Sequence, residues 1–142
     1  MNQLLRVIRE AWARIPWPRP LRVAACDEGT LRGTYQFHDQ GVGGPGRTFA
    51  GAGNEYFDGA GNIYGVYSHH NEGRVTTDHY VPYTASYTVN PNCTGKSIYP
   101  WDMEFDLFID PGGERFTWVL TVPDDSPGLS GVEQRVTRER IV

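Results

Sequence analysis

"MEFDLFIDPGGERFTWVL", residues 103–120, is the stretch whose reading decides the fold. Apolar and polar residues alternate on both sides of Pro111-Gly112-Gly113, the period of two that a half-buried strand needs. A two-residue turn at Gly112-Gly113 makes Pro111 face Glu114. Phe105 then meets Leu120, Leu107 meets Trp118 and Ile109 meets Phe116. All six apolar side chains share one face, with Asp106 and Thr117 or Thr121 on the other. Asp102, Glu104 and Asp106 alternate with Met103, Phe105 and Leu107, so the acidic set marks a solvated exterior.

The same period runs through most of the chain from "GTLRGTYQF" (29–37) onward. Strands are predicted at about 29–38, 47–57, 62–70, 74–90 (bent at Pro82), 96–101, 103–110, 115–122 and 131–141. "DGAGN", "NEG", "NPNCTG" and "DPGGE" supply Gly or Asn where turns need positive φ. Short hairpins joining strand after strand make an antiparallel meander. Closing it removes exposed edges, so the fold expected is an all-β, eight-stranded up-and-down barrel; an open sandwich is the alternative. Pro82 fits an edge or a bulge.

The first segment differs. In "MNQLLRVIREAWARIP", Leu4, Ile8, Ala11, Trp12 and Ile15 follow helical spacing, and "PWPRP" (16–20) then forms a stiff connector. The chain therefore divides into an N-terminal amphipathic helix with its connector, residues 1–25, and a barrel domain, residues 26–142. The first part carries five Arg against one Glu, a local +4 in a chain of net charge −4. This basic arm suits folding back on an acidic body, a partner or a membrane surface.

Composition agrees with a single packed domain. The chain has 142 residues, 13% aromatic and 21% charged, with 17 Gly and 10 Pro. That is too aromatic and too weakly charged for disorder. The acidic balance argues against nucleic acid as a partner. No apolar run is long enough to span a membrane, and Arg and Glu interrupt any signal-peptide core, so a cytoplasmic location is expected. Cys26 and Cys93 lie near strand ends, within reach of a disulfide, but in a cytoplasmic chain they are expected to stay reduced. An amphipathic terminal helix and apolar wall residues are suited to a homodimer.

At "GTYQF", "FDGAGNIYG", "ASYTVNPNCTG" and "SGVEQRV" the chain resembles a set of mostly uncharacterised bacterial proteins. Their pattern is GTY, FDGxGNxxG, YTVNPxCTG and a closing strand introduced by SG. The resemblance covers residues 29–142 and implies a calycin-like or allene-oxide-cyclase-like β-barrel. Barrels of that kind include lipid carriers and cofactor-free cyclases.

The chemistry-bearing stretch is "FDGAGNIYGVYSHHNEGRVTTDHY", residues 57–80. Adjacent strand residues face opposite sides, so His69 and His70 cannot share a metal, and no metal site or cofactor is expected. With "DGAGN" as a three-residue loop, Phe57 faces Ile63, Glu55 faces Gly65 and Gly53 faces Tyr67. With "NEG" read the same way, Ile63 faces Val81, Gly65 faces His79, Tyr67 faces Thr77 and His69 faces Val75. One lateral row is then Glu55–Gly65–His79, in which a carboxylate and an imidazole lean toward each other over a bare backbone position. Such a pair orients a general base; the alternative is a satisfied buried polar pair. The same face is predicted to gather Tyr35, Tyr67, His69, Tyr83, Tyr87, Met103, Phe105, Trp118 and Gln134 as a substrate-binding wall. His38 and His70 are assigned to the surface.

No nucleophile elbow, phosphate loop or dinucleotide fingerprint appears. Three functions fit. One is a cofactor-independent enzyme that cyclises or isomerises a mostly apolar, polyketide- or lipid-like molecule, with Glu55 and His79 catalytic. Another is a carrier or sensor using the same cavity. The third is a solidly filled barrel that works through its outer face or its basic helix as an assembly module.

Overall fold

The computed structural model describes residues 25–43, 47–71, 78–123 and 128–142. The expected helix over residues 1–16 and its connector lie outside them. A short 3₁₀ turn, Glu28–Thr30, leads into eight strands: β1 Arg32–Gly43, β2 Arg47–Asp58, β3 Asn62–Asn71, β4 Asp78–Val89, β5 Thr94–Tyr99, β6 Met103–Ile109, β7 Arg115–Val122 and β8 Leu129–Thr137. Each pairs antiparallel with the next and β8 returns to β1, so the sheet is a closed up-and-down barrel. Closure pairs the first and last strands, which would otherwise be edges.

The deciding hairpin has the expected register: Phe105 opposes Leu120, Leu107 opposes Trp118 and Ile109 opposes Phe116. Its turn differs slightly, because Gly113 N donates to Asp110 O at 2.7 Å and places Pro111-Gly112 at the corners. Beyond Phe105 the ladder slips by one residue and Glu104 opposes Val122.

The β2–β3 hairpin also has the expected register, with Phe57 opposite Ile63 and Glu55 opposite Gly65. Asp58 explains the turn. Its Oδ1 accepts from Ala60 N at 2.7 Å and Asn62 N at 3.0 Å, while Oδ2 accepts from Asn62 Nδ2 at 2.6 Å. Burial works against the charged carboxyl, but these hydrogen bonds outweigh it and hold Asp58 below its usual pKa.

The β3–β4 register corrects the sequence expectation. Gly65 opposes Tyr83, not His79; Ile63 opposes Ala85, and Tyr67 opposes Val81. The connection between these strands is longer than the three-residue "NEG" loop, running from Asn71 to Asp78 through residues outside those described. A four-residue displacement keeps odd-numbered residues inward, so the face is conserved while its members change. Near the strand start the phase also breaks: Tyr80 has φ 50°, and the pairing shifts between Tyr67 and His69. His79 is left exposed. Pro82 sits opposite Val66, in the part of β4 that precedes its pairing with β5 at Ser86, where a missing donor is tolerated.

One end of the barrel is packed solid. Phe57 is the hub of an edge-to-face cluster, its ring centroid 5.2 Å from Tyr35, 5.0 Å from Tyr87 and 5.4 Å from Phe116. Ile63, Leu107 and Leu31 fill the space around it. Each such buried side chain contributes about 1.5–3 kcal/mol. The 3₁₀ segment closes this end: Tyr87 donates its hydroxyl to Glu28 O and Leu31 O at 2.8 and 2.9 Å. Tyr35 donates to Gly113 O. Cys26 and Cys93 are joined in a disulfide with Cα atoms 5.0 Å apart, correcting the expectation of free thiols. It ties the segment before β1 to the β4–β5 turn.

Candidate functional site: a carboxyl pair at the base of an aromatic cavity

Above the packed end the interior is hollow. A cavity of about 630 Å³ lies toward the end where β1–β2, β3–β4, β5–β6 and β7–β8 connect. The sequence makes this space by setting glycines on the inward face beside large side chains. A Cβ on Gly65 would lie 2.3 Å from the Tyr83 ring, one on Gly53 2.7 Å from Phe37, and one on Gly131 2.4 Å from Trp118. Each ring therefore lies flat over a neighbouring backbone instead of filling the barrel axis.

Glu55 and Glu133 form the polar base. Glu55 on β2 is 1% exposed, and its Oε1 accepts from Tyr99 Oη at 2.7 Å and from Tyr83 Oη. Glu133 on β8 is 4% exposed and stands opposite Phe37 on one side and Phe116 on the other. The two carboxyls interact directly, and the Oε2 atom of each is buried without a protein donor. Carboxyl oxygens can hydrogen-bond one another only through a retained proton. Trp118 Nε1 points toward Glu133 without closing a hydrogen bond.

The electrostatics agree. Burial pushes the Glu133 carboxyl well above its usual range, and the nearby Glu55 charge pushes it further. Burial raises Glu55 too, more than the hydroxyls of Tyr83 and Tyr99 lower it. Asp39, on β1 above the pair, is also raised by burial, opposed by His69. The hydroxyls of Tyr83 and Tyr99 are driven up by burial and then by Glu55, so they remain donors. The pair thus titrates as a unit and keeps a proton where an isolated carboxyl would have lost it.

Aromatic rings build the wall above. Tyr83 packs on Tyr67, Tyr99 and Trp101 at centroid distances of 5.6, 5.7 and 5.5 Å. Tyr99 stacks on Trp101 with 12° between planes, and Phe105 bridges Tyr99 and Trp118 edge-on at 5.2 and 5.1 Å. Asp78 and His69 line the upper wall, His69 edge-on to Phe49 at 5.0 Å.

Of the residues predicted for the site, Glu55, Tyr67, His69, Tyr83, Met103, Phe105 and Trp118 line the cavity. Tyr35 and Tyr87 face inward but belong to the packed end. His79 and Gln134 are exposed and line no part of it. Sequence reasoning missed Glu133, Asp39, Tyr99 and Trp101. Glu133 was legible from Leu129, since β8 alternates inward through Leu129, Gly131 and Glu133. Val132 and Val136 mask that phase by being apolar and yet 40% and 51% exposed.

No protein-family model matches the chain, and no curated protein matches it. Among solved structures it is similar to the redesigned β-barrel mFAP1 bound to DFHBI, at 20% identity and a TM-score of 0.46, covering 76% of this chain and 97% of that one. A second redesigned barrel, b11L5F_LGL, is similar at 20% identity and a TM-score of 0.44, covering 76% and 93%. A third, EF1p2_mFAP2b bound to DFHBI, is similar at 19% identity and 0.41, covering 75% and 94%.

Among the described residues no group of three or more His, Cys, Asp or Glu is placed to hold a metal ion. No helix among them is long and apolar enough to cross a membrane. What the cavity offers is a shaped apolar wall with proton donors and acceptors gathered at its base.

Proposed function

We propose that this chain is a small-molecule-binding barrel that admits a largely apolar ligand and anchors its polar group at Glu55 and Glu133. The observation that carries this reading is the cavity itself. About 630 Å³ lies within the range of ligand sites, and a few convergent polar groups at the base of an aromatic wall are the usual means of orienting a ligand. A carrier or sensor needs no more.

The carboxyl pair favours a second reading, cofactor-independent cyclisation or isomerisation of a polyketide- or lipid-like molecule. One shared proton makes one carboxyl an acid and the other a base, while Tyr83 and Tyr99, whose hydroxyls donate to Glu55, fix that carboxyl in position. Glu133 then takes the role that the sequence suggested for His79. The calycin-like or allene-oxide-cyclase-like kinship suggested by the turn sequences accords with both readings. The disulfide favours work in an oxidising compartment over the cytoplasm.

Native mass spectrometry of protein purified from its producing cell tests binding. The expected result is a retained small molecule, lost when Leu120→Trp fills the cavity. Ligand-free protein whose melting temperature no apolar compound raises would refute it. If the retained molecule is converted by the wild type and only bound by Glu55→Gln, the enzyme reading prevails.

A further inference from the structure

The proposed binding site has a sign of charge, and the sign narrows the ligand class. Four carboxyls line the cavity, Asp39, Glu55, Asp78 and Glu133, against one imidazole, His69; no Lys or Arg is among the described lining residues. Two of the four are almost wholly buried, and their Oε2 atoms receive no donor from any other protein group, so in the empty barrel only the shared proton holds them. Burying two carboxyls side by side is unfavourable unless a positive partner joins them, and a Gln at either position would have supplied both a donor and an acceptor without charge. Independently, the wall above them is built of aromatic rings, whose π faces attract cations and repel anions.

We propose that the ligand carries a protonated amine on an aromatic or aliphatic body, with the ammonium seated against Glu55 and Glu133 and the body between the aromatic walls. This rests on the binding reading above and specifies its chemistry. In the empty barrel a proton serves as the pair's counter-ion. The ammonium takes that place: the singly protonated pair and the ammonium give a doubly ionised pair, a bound ammonium and one proton released to solvent. The other titratable groups facing the pair are Asp39 on β1, Tyr83 on β4, Tyr99 on β5 and, further up, His69 on β3. Asp39 adds to the negative field, while the two tyrosine hydroxyls stay protonated and hold Glu55 in place.

Isothermal titration of the full chain separates the possibilities with three probes. Tryptamine is charged, N-acetyltryptamine has the same ring without the charge, and Nile red is neutral and apolar. Tryptamine should bind at least about tenfold more tightly than N-acetyltryptamine, a difference in affinity that a single charged contact supplies. Titrations in buffers of different ionisation enthalpy should show proton release with tryptamine alone. Glu133→Gln should remove the proton release and most of the preference for tryptamine, with an unchanged near-ultraviolet circular dichroism spectrum confirming the fold. If that variant does not fold, the wild-type proton count and the probe ratio still decide. N-acetyltryptamine binding as well as tryptamine, or Nile red binding while tryptamine does not, would overturn the amine and leave the binding barrel standing. Failure of all three to bind would overturn both.

Discussion

Replacing Gly65 with alanine tests how the interior is built. A Cβ at that position would lie 2.3 Å from Tyr83 Cζ and 2.5 Å from its hydroxyl, against an ordinary carbon contact of about 3.5–4.0 Å. The ring must therefore move by more than about 1 Å. It cannot slide sideways freely, because Tyr67, Tyr99 and Trp101 flank it at centroid distances of 5.6, 5.7 and 5.5 Å. Movement breaks the Tyr83–Glu55 hydrogen bond, worth about 1.5–3 kcal/mol where a charged or strongly polarised carboxyl accepts. Repacking the ring costs roughly 1–3 kcal/mol more. Gly65→Ala should lose about 2.5–6 kcal/mol in urea unfolding, and Tyr83→Phe, which removes only the hydroxyl, should lose less. A loss below about 0.5 kcal/mol, the level of an ordinary surface change, would mean that Tyr83 does not lie over Gly65 and that the register is wrong.

The carboxyl pair gives stability a definite pH dependence. Both folded pKa values are raised, so the folded state binds more protons than the unfolded one. Their stabilising contribution is complete below the unfolded carboxyl pKa of about 4.3 and declines as pH rises through the folded values, by up to about 1.4 kcal/mol per pH unit for each group. Glu133→Gln should flatten that decline and be the more stable protein at neutral pH, as urea melts at acidic and neutral pH will show. Reducing the Cys26–Cys93 bond, which closes a separation of 67 residues, should lower stability by about 4 kcal/mol on the chain-entropy estimate, read from melts with and without dithiothreitol. His79→Ala and Gln134→Ala should each change stability by less than about 0.5 kcal/mol and leave ligand affinity untouched, since both side chains face away from the cavity.

The barrel was legible because its strands alternate strictly and its turns carry their own chemistry. Phe105, Leu107 and Ile109 can meet Leu120, Trp118 and Phe116 in only one useful register, and Asp58 binds its own turn through Ala60 and Asn62. The β3–β4 pairing was not legible for the opposite reason. Nothing in "NEGRVTTD" fixes a loop length, and displacement by four residues preserves the buried face, so alternation cannot detect it. Glu55 and Gly65 were found because both lie in the well-determined hairpin. Their partner was misassigned because it lies across the undetermined one, and Tyr83 replaced His79. Glu133 escaped because Val132 and Val136, on the outer face of β8, imitate an inward phase. Buried charge is also hard to anticipate from a pattern that equates inside with apolar.

The central claim is that a pair of buried, proton-sharing carboxyls stands at the base of a hollow aromatic barrel. Carbon-13 NMR of the glutamate carboxyls, followed through a pH titration, tests it most directly. Glu55 and Glu133, assigned by their Gln variants, should titrate in two coupled steps, with the second displaced well above the ordinary carboxyl range of about 4.3, and each variant should collapse the two steps into one. Two independent carboxyls that both ionise within the ordinary range would contradict the account.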